Sequence, residues 1–212
     1  MVSIKRTAWN VIGTLVASGF VIGQVVKTKT YTPMPSDPKP PEVVSIVSSF
    51  IAKSGAVFVR KSDMELVSET KIVHGTNRSV WTVRSKSKLK LTMDMVTRSI
   101  ISFHDFGREE AQFKGLQPKR KPLIQAREDA RRRVEVLARK LGIPADCKPD
   151  SFVFKQNPGD LPKSAGRAGM TFANPAGVRV GGLSLDLLDG GVNGFWFAPW
   201  KVRKDARQVP TG

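Results

Sequence analysis

The sequence LTMDMVTRSIISF at residues 91–103 aligns without a gap with LSLDLLDGGVNGF at residues 183–195. Asp94 and Phe103 thereby match Asp186 and Phe195 at a constant offset of 92 residues. Upstream of each stretch, a helix pattern ends in similar sequences, FIAKSG at 50–55 and LARKLG at 137–142. A repeated helix followed by strands predicts an α+β protein of two tandem units, each a helix packed on an antiparallel β-sheet.

Periodicity places the helices and strands of the two units. Apolar residues at helical spacing predict one helix from about Glu42 to Ser54 and another from about Leu123 to Leu141. Alternation of apolar and polar residues predicts strands at 64–73, 78–83, 88–95, 100–103 and 151–155. The first unit is therefore expected at 42–106 and the second at 123–202, with a polar linker at 107–122.

The N-terminus has the residue order of an export signal. Lys5 and Arg6 precede an apolar run from Ala8 to Gly23 that ends in small residues. Residues 1–23 are expected to be a signal peptide or an uncleaved membrane anchor helix, and a buried N-terminal helix is the third interpretation. A proline-rich linker at 24–41 and a basic tail at 203–212 complete the organisation. Export predicts an extracytoplasmic location, either secreted or membrane-anchored.

The chain is strongly basic, with 35 Lys and Arg against 18 Asp and Glu and a formal charge of +17. This charge attracts anionic surfaces at low salt, although an ordinary solvated basic surface is the preferred explanation. The candidate polyanion-binding residues come from two segments. Those of the predicted hairpin are Arg84, Lys86, Lys88 and Lys90, and those of the second helix are Arg131, Arg132 and Arg133. The arginines also lie one helical turn from acids, which predicts salt bridges. Because export separates the protein from cytoplasmic nucleic acid, an anionic envelope polymer or lipid surface is the expected polyanion.

The chemically reactive side chains form no recognised catalytic or metal-binding pattern. His74, His104 and Cys147 lack the ligand spacing of a zinc site. A hydrolase would have to bring His104, Asp105 and Glu109 together, and no nucleophile motif accompanies them. The sequence therefore predicts no catalytic residue, no metal and no cofactor, and a protein that is not an enzyme.

Both matched stretches place a carboxylate at a strand end and a turn after it. They read DMVTRSIISF from Asp94 and DLLDGGVNGF from Asp186. This pattern resembles the Asp-x-x-Thr-Gly-x-Ile/Val-x-x-Phe motif of PepSY-like domains, with Arg98 in the place of glycine and Asp189 in the place of threonine. Five residues are expected to have structural roles in the turns, namely Asp94, Thr97, Asp186, Asp189 and Gly190. Either the first turn is longer, or Arg98 takes a left-handed conformation at a cost of about 1 kcal/mol.

The resemblance to the secreted bacterial PepSY-like family implies a non-catalytic extracytoplasmic interaction module. Such a module would modulate a protein or peptide partner in the cell envelope, with a peptidase as one class of partner. It would dock through a sheet edge or the concave side of the sheet, where an added strand gains main-chain hydrogen bonds. The alternative function is polyanion binding, which a steep loss of affinity with salt would reveal.

Overall fold

The computed structural model describes residues 29–31, 34–55, 61–73, 76–86, 88–113, 122–156 and 166–199. Within these residues, nine strands form one antiparallel sheet in the order β1-β2-β3-β4-β5-β9-β8-β7-β6. Their bounds are β1 Lys29–Thr30, β2 Met64–Val73, β3 Thr76–Ser85, β4 Leu89–Asp94, β5 Ile100–Asp105, β6 Lys148–Gln156, β7 Gly166–Ala173, β8 Arg179–Asp186 and β9 Val192–Phe197.

Three helices accompany the sheet in this part of the chain: α1 Pro40–Ser54, α2 Phe106–Phe113 and α3 Arg127–Lys140. Pro40 opens α1, where the missing N–H costs no hydrogen bond, and Gly55 ends it at a φ of 67°. Glu128 and Asp129 lie in the first turn of α3 and basic residues lie in its last turn, so side-chain charges complement the helix dipole. A short 3₁₀ turn precedes β2.

The strand registers sort the side chains onto two faces of the sheet. Leu91 lies opposite Val83 on one side and Phe103 on the other. The same row continues through Phe195 and Leu183. These residues are buried in one cluster with the apolar sides of α1 and α3, and we call this side the helix face.

The alternate residues of the strands form the other side, which we call the open face. Charged and small side chains predominate there, in contrast to the apolar helix face. Its members include Glu69, Lys71, Thr82, Arg84, Lys90, Thr92, Ser102, His104, Val153, Thr171, Ser184, Gly194 and Trp196.

The pairing of β5 with β9 joins the two halves of the sheet. It covers residues 102–104 and 194–196 and places Phe103 directly opposite Phe195. Phe50 of α1 packs on both rings, with centroid separations of 5.5 and 5.3 Å. Aromatic pairs of this kind contribute about 0.5–1.5 kcal/mol beyond their buried area. The core is therefore continuous across the junction.

The prediction of two tandem units, each a helix on its own sheet, is wrong. All the described strands belong to one sheet, and the buried apolar residues of both halves belong to one cluster. Separate units would leave β5 and β9 as open edges with a large aromatic beside each, and their pairing removes both edges. The end of α1 also reaches the other half, because a Cβ at Gly55 would lie 3.6 Å from the Cα of Gly191.

The predicted flanking segments are only partly described. The predicted signal or anchor helix at 1–23 and the basic tail at 203–212 lie outside the described residues. The predicted linker at 24–41 contains β1 and the first residues of α1, and the predicted linker at 107–122 contains most of α2. Among the described helices, none combines the length and the apolar composition that a membrane span requires.

We expect the described halves to unfold as one unit, because the core runs through the β5–β9 junction. Phe195→Ala should lower the free energy of unfolding by about 3–5 kcal/mol. It should also speed amide exchange in β3 as much as in β7, measured by hydrogen–deuterium exchange mass spectrometry. Val178→Ala, at a side chain that is 58% exposed, is the control and should change stability by less than about 0.5 kcal/mol. Faster exchange confined to β6–β9 would contradict a single core.

Candidate functional site

The carboxylate of Asp94 organises the turn between β4 and β5. One oxygen accepts hydrogen bonds from the backbone N–H of Val96 (3.0 Å) and of Thr97 (2.8 Å) and from the Thr97 hydroxyl (3.1 Å). The other oxygen accepts from the guanidinium of Arg78 on β3 at 2.7 Å. Asp94 is buried, and both of its oxygens are engaged by the protein itself. This arrangement fixes the turn rather than presenting a carboxylate to a ligand.

Arg98 follows in the same turn with a φ of 55°, so of the two predicted alternatives the left-handed conformation is the one adopted. Its guanidinium pairs with Glu42 of α1 at 2.8 Å. In the turn between β8 and β9 the matching residue is Gly190, with a φ of 71°. A Cβ at Gly190 would have to displace the flexible guanidinium of Arg133, so it is the backbone conformation that favours glycine there.

The second turn uses two carboxylates. Asp186 is fully buried and accepts a hydrogen bond from the N–H of Leu188 at 2.8 Å. Asp189 accepts from the N–H of Gly191 at 2.9 Å and pairs with Arg108. Asp186 and Asp189 therefore accept the backbone hydrogen bonds of the second turn, a role that Asp94 has in the first turn together with Thr97.

Arg108 of α2 joins three parts of the chain, and sequence reasoning missed it. It pairs with Asp189 and donates to the carbonyl oxygen of Gly55 at 3.1 Å. Its backbone N–H donates to Asp105 at 2.9 Å. Burial opposes the charge of the guanidinium, but the hydrogen bond to Asp189 and the charges of Asp189, Asp105 and Asp186 raise the pKa of Arg108. The sequence signal is an Asp three residues before an Arg at a strand-to-helix boundary, which does not reveal the long-range partners.

Of the three residues that a hydrolase would need, His104 and Glu109 lie close together, but Asp105 does not join them. The His104 side chain lies on the open face, stacks on Phe106 with 4.7 Å between ring centroids, and has Nδ1 3.8 Å from Glu109. Asp105, in contrast, is buried and faces Arg108. Because neighbouring residues of a strand point to opposite faces, His104 and Asp105 cannot act on one substrate atom.

The four cations of the β3–β4 hairpin do not point the same way. Arg84 and Lys90 face each other across the strands on the open face. Burial lowers the pKa of Lys90, and the charges of Lys71 and Arg84 lower it further, against the opposing effect of Glu69. Like charges in direct opposition weaken a strand pair.

The other two hairpin cations lie in the connecting turn. Lys86 is exposed. Lys88, with a φ of 64°, forms an ion pair with Glu110 of α2. The hairpin therefore presents two open-face cations and one exposed turn cation, while the fourth is neutralised.

The three consecutive arginines of α3 are engaged on the opposite side of the sheet. Arg131 pairs with Glu135 at 3.3 Å and Arg132 with Asp129 at 2.6 Å, both on the exposed side of the helix. Arg133 lies against the turn at Gly190. The structure thus does not bring the hairpin and the helix cations into one surface.

The last strand of the sheet, β6, presents an edge that no described strand covers. β6 has nine residues, of which eight pair with β7, and it pairs with no other described strand; the opposite edge of the sheet ends in the two-residue β1. Pro149 and a register shift beside it interrupt the start of β6, a device that natural sheets use to limit edge-to-edge association. Asp150 pairs there with Arg179, which lowers the pKa of that carboxyl. The regular part of the edge is therefore 151–156.

The side chains of this edge alternate as a binding strand requires. Phe152 and Phe154 are half-buried on the helix face, and the guanidinium of Arg127 lies 5.1 Å above the Phe152 ring. Val153 is 44% exposed on the open face, between Ser151 and Lys155. The sequence predicted a strand at 151–155, but only the topology places it at the edge.

We expect Arg98→Gly to raise the free energy of unfolding by up to about 1 kcal/mol, because glycine relieves the left-handed strain. Arg98→Ala is the matched control: it removes the same ion pair with Glu42 but keeps a Cβ in that backbone conformation. Urea denaturation of the two variants isolates the backbone effect. Equal stability of the glycine and alanine variants would show that the turn is unstrained.

We expect Asp94→Asn to lower the free energy of unfolding by about 3 kcal/mol, because it removes one partner of a largely buried ion pair. Asp129→Asn breaks an exposed pair with Arg132 and should cost less than about 1 kcal/mol. The same denaturation experiment measures both. If the Asp94 variant is as stable as the Asp129 variant, the turn does not depend on the Asp94 carboxylate. That carboxylate would then be a candidate for binding a ligand.

No family model matches the chain, and no curated protein matches it. Among solved structures, the chain is similar to the Bacillus megaterium YpeB C-terminal domain, with 12% sequence identity and a TM-score of 0.49. The similarity covers 82% of this chain and 69% of that chain.

Proposed function

We propose that this protein is a non-catalytic, extracytoplasmic interaction module that binds an extended segment of a partner protein as an added strand on β6. The observation that carries the proposal is the outer edge of β6, which no described strand pairs. An added strand satisfies backbone groups at this edge, each hydrogen bond contributing about 1 kcal/mol net.

The edge supplies specificity as well as backbone groups. An added strand continues the alternation of β6, so its side chains fall beside Phe152 and Phe154 on the helix face and beside Val153 on the open face. Apolar residues at alternate positions of the partner segment fit both sets of neighbours. The basic charge of the chain would raise the rate of encounter with an acidic partner more than the affinity.

The location and the partner class come from the sequence. The export-like order of residues 1–23 supports an extracytoplasmic site of action. The resemblance of the Asp94 and Asp186 turns to PepSY-like domains supports a modulatory role, with a peptidase of the cell envelope as one class of partner. Strand addition needs no catalytic side chain.

The alternative function, binding of a polyanion, is less well supported by the contacts. Lys88, Arg131 and Arg132 are held in ion pairs, and the hairpin and helix cations lie on opposite faces of the sheet. A heparin titration over a salt series separates the two functions. Tight binding with a steep salt dependence would favour the polyanion.

The decisive experiment uses peptides whose backbone is modified. Nine-residue peptides are selected from a displayed library on the full chain, and the best binder is synthesised unmodified, N-methylated at odd positions and N-methylated at even positions. Because only alternate amides of an added strand face the sheet, one methylated form should bind at least about 100-fold more weakly and the other nearly as well as the parent. Peptide binding should also protect the amides of 151–156 from exchange.

Matched variants of the protein complete the test. Val153→Lys places a charge beside the added strand and should weaken the parent peptide about tenfold, whereas Val178→Lys, on an exposed residue away from the edge, should not. Equal binding by both methylated peptides, or exchange protection outside β6, would contradict strand addition.

A further inference from the structure

A groove of about 400 Å³ lies between α1 and the C-terminal end of α3, on the helix face. Its apolar lining comes from both helices and from the sheet beneath them: Ile46, Phe50, Ile100, Leu141 and Phe197. The groove lies where α1 and the end of α3 meet on the merged sheet, beside Ile100 and Phe197. Nothing in the edge-binding proposal uses this surface.

Three cations line the same groove: Lys53 of α1, Arg98 of the first turn and Lys140 of α3. All three are exposed. Arg98 pairs with Glu42 at 2.8 Å, while Lys53 and Lys140 take part in no ion pair among the described residues. The groove therefore carries more positive charge than its one nearby acid compensates.

The side chains are the source of this positive potential. Lys53 and Lys140 lie in the last turns of α1 and α3, where the helix dipole is negative. A helix end of that polarity repels an anion, so an anion bound here would depend on the lysines. The hydroxyls of Ser45 and Ser49 add hydrogen-bond donors to the lining, whereas the Ser99 hydroxyl donates to the carbonyl oxygen of Thr97 at 3.3 Å.

We propose that this groove binds a small anionic amphiphile, a molecule with one alkyl or aryl body and one carboxylate, sulfate or phosphate group. The apolar floor accepts the body, and Lys53, Arg98 and Lys140 receive the charged group. The volume lies at the lower end of the range for small-molecule sites, about 300–1,000 Å³, and apolar linings with a few convergent polar groups are typical of such sites. The ligand is a free molecule in solution rather than part of a bilayer.

Nuclear magnetic resonance titration of the full chain tests the proposal with two probes of equal chain length, octanoate and octan-1-ol. Octanoate should produce saturable shifts of the Ser49, Ser99 and Gly142 amides. Octanol has the same body without the charge and should bind at least about tenfold more weakly, since charged hydrogen-bond partners are roughly twice as strong as neutral ones.

Four variants assign the binding to the groove. Lys53→Gln combined with Lys140→Gln should raise the octanoate Kd about tenfold, and Glu42→Gln should lower it about two- to threefold by releasing Arg98. Ser49→Trp should fill the groove and abolish the shifts at Ser99 and Gly142. Lys86→Gln removes one exposed charge from the distant hairpin and should leave the Kd unchanged.

Several results would overturn the proposal. The first is equal affinity for octanol and octanoate. The second is a loss of octanoate affinity in the Lys86→Gln variant as large as in the double variant of Lys53 and Lys140. The third is an unchanged octanoate Kd in the Glu42→Gln variant. Shifts of the same amides on raising the protein concentration without ligand would assign the groove to a second copy of the chain. Binding to anionic vesicles without binding to octanoate would assign it to a membrane surface. The octanoate titration and the peptide experiment on β6 measure binding at different surfaces. Either proposal can therefore fail while the other stands.

Discussion

Burial of Phe103 against Phe195, with Phe50 packed on both, is the contact on which the rest of this structure depends. Each phenylalanine ends one of the matched stretches of sequence and would lie at the edge of its own four-stranded meander if the halves were separate. Pairing β5 with β9 hides two open edges and two large apolar rings at once. The cost of this solution is conformational, because the two helices and both turns must then fit a common sheet.

Because the helices and turns must fit a common sheet, the acidic residues of the turns are engaged in hydrogen bonds and ion pairs within the protein. Asp94 is held by Arg78 and by its own turn, and Asp189 is held by Arg108, which also reaches the end of α1 at Gly55. Asp94 is buried with both oxygens engaged, so it stabilises the turn and has little capacity left for a ligand. The surfaces that stay available are the outer edge of β6, which no described strand pairs, and the groove between α1 and α3. Both can bind without catalytic chemistry.

Local elements were predictable because their signals are local. The alternation at 64–73 and the helix pattern from Glu42 to Ser54 are confirmed by β2 and α1, whose start lies two residues earlier at Pro40. For Arg98, turn chemistry left two alternatives, a longer turn or a left-handed conformation, and the structure shows the left-handed one. Placement of the cations was not predictable in the same way. Sequence spacing put Arg84, Lys86, Lys88 and Lys90 on one hairpin, but the ion pair of Lys88 with Glu110 requires α2 to fold back on that hairpin.

The sequence by itself determined α1, α3 and the strands β2 to β6, but not β1 or α2, which lie in segments predicted to be linkers. It also determined where the turns carry carboxylates and that two stretches 92 residues apart share one pattern. The helices, strands and turns were predictable because their signals depend on residues within a few positions of one another. Only the tertiary structure decided that the two stretches share one sheet, that β6 lies at its edge, and that Lys53, Arg98 and Lys140 line one groove. Those outcomes depend on which surfaces are buried together, and the same periodicity is compatible with separate or merged sheets.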